Sequence, residues 1–284
     1  MKKETFVWEM AQRIFAATIS SDFGKYIWLL SPSKLDASQP IHRLDWGLVL
    51  AYCPEEGDTG EGGPRPGSAM NEEWSRYFLN FLKKELLLQE QPIMVDAERQ
   101  IEPGRLTLRL KTEREGVYVP LTLHIVDVQG ERMRPESLVM DLSFVPGQRL
   151  GYFRYPAEKR TATLAFHIMN ELELIAEMEP YIYLYELLRE CAMDGRDAGE
   201  RLREELKAAG LVPDARRRQI FESYRHSVYM KKRWKVLLRR QRIKEPSWGD
   251  VHRVLSGFIL PVWEALESDT VFMGDWMPDL ERFL

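Results

Sequence analysis

The 284-residue chain is poor in cysteine and contains no long apolar run. Its two cysteines, Cys53 and Cys191, lack the spacing of a metal site and are too few for a disulfide framework, so a reducing, cytoplasmic environment is expected. No apolar stretch approaches the roughly 18–20 residues that a membrane span needs, so no membrane partner is expected. Near the N-terminus, Glu4, Glu9 and Arg13 interrupt the apolar residues, which is not the pattern of a secretory signal.

The common catalytic and nucleotide-binding motifs are missing as well. The sequence has no P-loop, no HExxH, no GxSxG and no paired CxxC. The five histidines include no pair spaced i, i+4, and we expect each of them to be structural rather than a metal ligand. Composition and spacing therefore exclude several enzyme classes but do not assign a function.

Apolar spacing divides the chain into a mixed first half and a helical second half. Spacings of three and four predict a helix over Phe6–Ala17 and another that begins after an N-cap at Asn71. Apolar runs and alternating apolar residues predict strands at 46–53, 106–111, 117–128 and 138–145. The helical pattern that follows predicts two domains, 1–155 and 156–284.

The start of the helical half resembles a known family. Residues 155–187, YPAEKRTATLAFHIMNELELIAEMEPYIYLYEL, are similar to the fourth motif region of the AbiEii/AbiGii-type nucleotidyltransferase toxins. The matching residues are Tyr155, Pro156, Glu158, Ala162 and Met178. Segments 121–144 and 231–266 resemble the family's central strand and its C-terminal helical region. The resemblance implies an α+β fold, in which a nucleotidyltransferase-like mixed sheet with flanking helices is followed by an all-α domain.

Most positions that carry the family's chemistry hold other residues here. An Asp-x-Asp pair on a strand places two carboxylates on one side, where they hold Mg²⁺ with a third carboxylate from a neighbouring strand. Asp45 retains the first of these acids, Gly47 replaces the second and His124 replaces the third. The remaining degenerate positions are Ser31 and Ser33 at the phosphate-binding turn, Leu164 for a Lys, Glu177 for an Arg, Pro180 for an Asp and Tyr183 for a later Asp.

Two interpretations follow from the resemblance. In the first, the scaffold has lost catalysis, needs no cofactor, and acts as a binding or assembly subunit in a phage-defence or toxin–antitoxin-like system. In the alternative, a divergent site with Asp45, Asp127 or Glu131 still takes Mg²⁺ and NTP and modifies RNA such as tRNA. Asp127 lies three residues beyond His124 and would point to the other face of the strand. We favour the first interpretation, because one carboxylate beside a Gly and a His is a poor Mg²⁺ site.

Positive charge is concentrated in one stretch. Residues 216–244 contain twelve of the 40 Lys and Arg residues and one of the 44 Asp and Glu residues. The candidate nucleic-acid contacts are Lys231, Lys232, Lys235, Arg239 and Arg242, and the stripe predicted to face inward is Met230, Trp234, Leu237, Leu238 and Gln241. Such a surface fits a phosphate backbone, but the stretch could equally complement the chain's own acidic residues or be a solvated face.

The last eighteen residues, 267–284, are too apolar for a free tail. They include Val271, Phe272, Met273, Trp276, Met277, Leu280, Phe283 and Leu284. The sequence leaves open whether this segment packs on its own domain or binds a protein partner.

Overall fold

Strands dominate the first half of the chain and helices dominate the second. The computed structural model describes residues 3–31, 35, 47–55, 63–89, 92–102, 104–114, 116–128, 135–173, 177–241 and 243–284. The chain divides into two units, Met1–Tyr155 and Pro156–Leu284. The fold is of the mixed α+β class, as predicted.

The first unit is built on a seven-stranded mixed sheet. Its strands are β1 (Ile27–Ser31), β2 (Leu48–Tyr52), β3 (Met94–Glu102), β4 (Arg105–Arg114), β5 (Val117–Asp127), β6 (Glu136–Asp141) and β7 (Arg149–Arg154). They lie in the order β3-β4-β5-β2-β1-β7-β6. The pairs β2–β5 and β1–β7 are parallel, and the other neighbours are antiparallel.

Two helices share a core with the sheet, α1 (Lys3–Ile19) and α2 (Glu72–Leu87). Both were predicted, and the Asn71 side chain caps α2 by accepting a hydrogen bond from Trp74 N at 2.9 Å. Alternate strand residues are buried with the helices, because successive side chains of a strand point to opposite faces. On β5 the buried set is Val119, Leu121, Leu123 and Ile125.

The predicted strand at 138–145 is wrong at its C-terminal end. β6 stops at Asp141, since the chain reverses there and Leu142 N donates a hydrogen bond to Gln148 O at 3.0 Å. The turn includes Gly147 at a φ of +80°, a conformation that glycine adopts without strain. The reversal leads into β7, which was not predicted.

β3 forms one edge of the described sheet and was also not predicted. Arg99 interrupts its buried side, where its guanidinium pairs with Glu72 of α2 and donates to Ser75 Oγ at 2.7 Å. An arginine in the apolar half of the alternation weakens the strand signal in the sequence. The fully exposed side of the strand carries Asp96, Glu98, Gln100 and Glu102.

The second unit consists mainly of helices. These are α3 (Ala157–Asn170), α4 (Glu179–Glu190), α5 (Gly195–Ala208), α6 (Ala215–Ser223), α7 (Val228–Gln241) and α8 (Trp248–Glu267). A small antiparallel sheet joins β8 (Met193–Asp194), β9 (Asp275–Met277) and β10 (Arg282–Phe283) in the order β10-β9-β8. None of the helices described, in either unit, is long and apolar enough to cross a membrane.

α8 supplies much of the apolar core of this unit. Its N-terminus has the predicted cap, in which Ser247 Oγ accepts a hydrogen bond from Asp250 N at 3.3 Å and donates one to Asp250 Oδ2 at 2.6 Å. Pro261 lies inside the helix, as the sequence indicated. The buried residues of α8 include Val251, Val254, Leu255, Phe258, Ile259, Val262 and Trp263.

Candidate functional site

Gly47 stands immediately before β2, at the position where the resemblance implies a second carboxylate. Its φ is +83°, and a Cβ placed on it would lie 2.2 Å from the carbonyl oxygen of Thr122 on the neighbouring β5. Any side chain here would meet both backbone strain and a steric clash. The backbone therefore excludes a carboxylate at this position. Of the other early motif positions, Ser31 ends β1 opposite Val49, whereas Ser33 and Asp45 lie outside the described residues.

His124 lies on β5, where its Nδ1 faces two hydrogen-bond donors. It pairs with Val49 on β2 and with Thr107 on β4. Its Nδ1 is 3.1 Å from Arg105 Nη2 and 3.0 Å from Thr107 Oγ1. Because a guanidinium can only donate, Nδ1 accepts here and the ring proton sits on Nε2. A ring nitrogen next to a fixed positive charge does not suit Mg²⁺, which favours oxygen ligands.

Asp127 lies at the end of β5, three residues beyond His124, so it alternates out of step with His124 along the strand. It is two residues from Ile125 and four from Leu123, so it lies on the same side of the strand as these buried residues. Its backbone N–H donates a hydrogen bond to Gly104 O at 2.8 Å. The two side chains therefore leave the strand on opposite faces. Glu131 lies outside the described residues. Among the residues that are described, no three His, Cys, Asp or Glu side chains come together in a way that could hold a metal ion.

The later motif positions belong to the second unit. Leu164 is half-buried on α3, Glu177 is exposed just before α4, and Tyr183 is buried on α4. An isobutyl group and a phenol carry no charge at neutral pH, so they cannot replace the Lys and Asp of the family pattern. Each remains a degenerate position by prediction.

α7 has the two faces that its spacing predicted. Met230, Trp234, Leu237, Leu238 and Gln241 are all buried. Trp234 Nε1 is held by a hydrogen bond to Pro246 O at 2.7 Å, so the inner face is fixed against the unit. The cations of the outer face, which we call the α7 cation row, are Lys231, Lys232, Lys235 and Arg239, and all four are exposed. No described carboxylate lies within ion-pair distance of any of them. Arg242 lies outside the described residues.

The arginines of α6 behave differently. Arg216 Nη2 lies 2.7 Å from Glu173 Oε1, and Arg218 Nε lies 3.1 Å from Glu267 Oε1. The hydrogen bond to Glu267 raises the pKa of Arg218 above its ordinary value. On α7 itself, Arg240 pairs with Glu179 of α4. The basic stretch is therefore partly an internal complement, whereas the α7 cation row has no acidic partner among the described residues.

The C-terminal segment packs on its own unit, with Trp276 as a buried anchor. Trp276 is fully buried, and its Nε1 donates a hydrogen bond to Leu188 O at 2.7 Å. Its ring contacts Phe258 and Phe283 at centroid distances of 5.4 and 5.2 Å. Other apolar residues of the segment stay exposed, among them Val271, Met273, Leu280 and Leu284. A protein partner at 267–284 stays a prediction.

Comparison with known proteins gives no family. No family model matches the chain, and no curated protein does. Two crystal structures are similar over nearly the whole length. JHP933 from Helicobacter pylori is 10% identical, with 95% of each chain covered and a TM-score of 0.49. A candidate nucleotidyltransferase from H. pylori is 10% identical, with 96% of this chain and 100% of that chain covered and a TM-score of 0.44.

Proposed function

We propose that this chain is a catalytically impaired, nucleotidyltransferase-like protein that binds nucleic acid through the α7 cation row. It would act as a binding or assembly subunit in a phage-defence or toxin–antitoxin-like system, as its resemblance to the AbiEii/AbiGii-type family suggests. The observation that carries the proposal is the contrast between α6, whose arginines pair with acids of the chain, and α7, whose four outer cations do not.

The loss of catalysis is supported by the two positions that the structure describes. At Gly47 the backbone of β5 fills the space that an acid would need. At His124, Arg105 Nη2 lies 3.1 Å from Nδ1, and a fixed positive charge there would oppose a metal ion. Two of three metal ligands would therefore be absent, and the single acid that remains, Asp45, would be a poor Mg²⁺ site.

Nucleic-acid binding is supported by the geometry of the row. Lys231, Lys235 and Arg239 recur every four residues, so successive cations are spaced about 6 Å apart along the helix. Cations in such a row neutralise phosphates without reading sequence. The logarithm of the affinity should then fall linearly with the logarithm of the salt concentration, with a slope of about −0.7 to −0.9 per phosphate neutralised.

The test is the salt dependence of RNA binding by the full chain. A Lys231→Ala, Lys235→Ala, Arg239→Ala triple variant should bind more weakly. Its salt slope, measured between about 50 and 200 mM salt, should correspond to about two to three fewer phosphate contacts. The matched control removes three exposed lysines elsewhere, Lys25, Lys84 and Lys207, and should keep the wild-type slope. A triple α7 variant that binds like the wild type would contradict the proposal.

A second measurement addresses catalysis. Calorimetric titration with NTP and Mg²⁺ should show no metal-dependent binding to the chain. Micromolar, Mg²⁺-dependent binding that is abolished by Asp45→Ala would instead favour the active nucleotidyltransferase. The proposed biological setting predicts an antitoxin or a multi-subunit defence operon in the neighbouring reading frames.

A further inference from the structure

An aromatic ring lies beside the α7 cation row. Tyr229 is 57% exposed and sits three residues before Lys232 and four before Arg233. Arg233 Nη1 donates a hydrogen bond to the Tyr229 hydroxyl at 3.0 Å, and its guanidinium carbon lies 5.7 Å from the ring centroid. A cation at this distance from a ring contributes a cation–π attraction. The ring is thus held at a defined place on the surface.

Aliphatic surface extends the same face. Val228 and Val236 are each 65% exposed, although a valine is more often buried. Residues three and four apart on a helix are neighbours, so Tyr229, Lys232 and Val236 form one continuous strip. The outer side of α7 therefore alternates cations with flat or apolar groups.

This alternation distinguishes between forms of nucleic acid. Cations alone attract a duplex as well as a single strand, because both present phosphates. An exposed ring adds affinity only where base faces are accessible, and a duplex keeps them inside its stack. Proteins that bind single strands combine a positive surface with aromatic side chains on which the bases stack.

We infer that the nucleic acid bound by α7 is single-stranded and that one base stacks on Tyr229. The inference rests on the proposed function, since the phosphates must first be held by the α7 cation row. In the bound state Lys232 and Lys235 contact phosphates, the base covers the open part of the Tyr229 ring, and Val236 contacts the ribose or the next base. The site is indifferent to base identity, because every base offers a flat face.

The experiment compares two oligonucleotides that carry the same number of phosphates, an unstructured oligouridine and an RNA hairpin duplex. The full chain should bind the single strand more tightly at equal salt. Tyr229→Ala should lower affinity for the single strand about tenfold, the effect of losing one stacked base, and leave duplex binding unchanged. Tyr229→Phe keeps the ring without the hydroxyl and should stay within about twofold of the wild type.

Two chemically modified RNA strands test directly whether a base stacks on Tyr229. A 2-aminopurine strand should lose fluorescence on binding wild-type protein and the Phe variant, but not the Ala variant. An abasic strand should bind the wild type and Tyr229→Ala equally.

The failures are separable. If no RNA binds in a salt-dependent way, the proposed function is overturned and the inference falls with it. If RNA binds but duplex is preferred, or Tyr229→Ala has no effect on the single strand, only the inference is overturned. If polyglutamate competes as strongly as oligouridine, the strip recognises an acidic protein, and the inference is likewise overturned.

Discussion

A Cβ on Gly47 would lie 2.2 Å from the carbonyl oxygen of Thr122. The close approach of β2 to β5 therefore leaves no room for a side chain at position 47. A substitution that placed a carboxylate there would have to separate the strands and move the residue out of the left-handed region of φ.

Gly47→Ala should lower the free energy of unfolding by about 2–5 kcal/mol, the sum of a backbone cost and a steric cost. The matched control is Gly116→Ala. Gly116 has a similar φ of +75°, but a Cβ added to it would meet no heavy atom within 4 Å, so this variant bears the backbone cost alone. Urea denaturation gives the loss of unfolding free energy for each variant. The difference between the two losses is the cost of the clash. Equal losses would mean that β5 moves away without cost.

Trp276→Ala should be among the most destabilising substitutions in the second unit. It removes a fully buried indole and the hydrogen bond to Leu188 O, and we expect a loss of about 3–5 kcal/mol in unfolding free energy. Met273→Ala in the same segment should change stability by less than about 0.5 kcal/mol, because Met273 is 75% exposed. Chemical denaturation followed by circular dichroism measures both. Similar values for the two variants would contradict anchoring by Trp276.

Gln241 is a buried side chain whose amide has no hydrogen-bond partner on either Nε2 or Oε1 among the described residues. An unsatisfied buried polar group costs about 1–3 kcal/mol. Gln241→Met keeps the length of the side chain and removes that cost, so it should raise the unfolding free energy by about 1 kcal/mol. Gln219→Met, at an exposed position of α6, should have little effect. A less stable Gln241→Met variant would show that the amide is satisfied in solution.

His252 should make stability depend on pH. Burial lowers its pKa below the ordinary value of 6.5, although the hydrogen bond between Nε2 and Phe221 O acts in the opposite direction. Well above pH 6.5 the ring is neutral in both states and contributes no pH dependence. As the pH falls below about 6.5, the unfolded chain takes up a proton that the folded chain does not, so the unfolding free energy decreases.

The slope from this one group cannot exceed about 1.4 kcal/mol per pH unit, the value for one proton. His252→Gln should therefore flatten the profile between about pH 6.5 and the lower pKa of the folded state. Denaturation at a series of pH values checks this, and parallel profiles for wild type and His252→Gln would refute it.

Much of the fold could be predicted where local pattern and burial agree. The Asn71 cap, the inward stripe of α7 and the Ser247–Asp250 cap were all visible in the sequence, because each depends on residues within one helix. β3 and β7 were missed. In β3, Arg99 occupies a core-facing position, which breaks the apolar alternation expected of a strand. The charge of Arg99 is compensated by Glu72, 27 residues away in sequence, and the local pattern does not reveal this partner.

The candidate site could be predicted only in part, because its decisive features are long-range. Spacing placed the cations of α7 on one face, but it did not reveal that Arg216 and Arg218 pair with Glu173 and Glu267. The sequence shows a glycine at position 47, but it does not show that β5 leaves no room for a side chain there. Tyr229 was not singled out, since exposure of one tyrosine on a helix depends on the packing of the other face.

The acidic edge of β3 has a consequence for handling the protein in solution. If two copies met edge to edge in antiparallel fashion, Asp96, Glu98 and Glu102 of both would crowd onto one continuous surface. Like charges side by side oppose such pairing, and edge strands with charged residues resist aggregation for this reason.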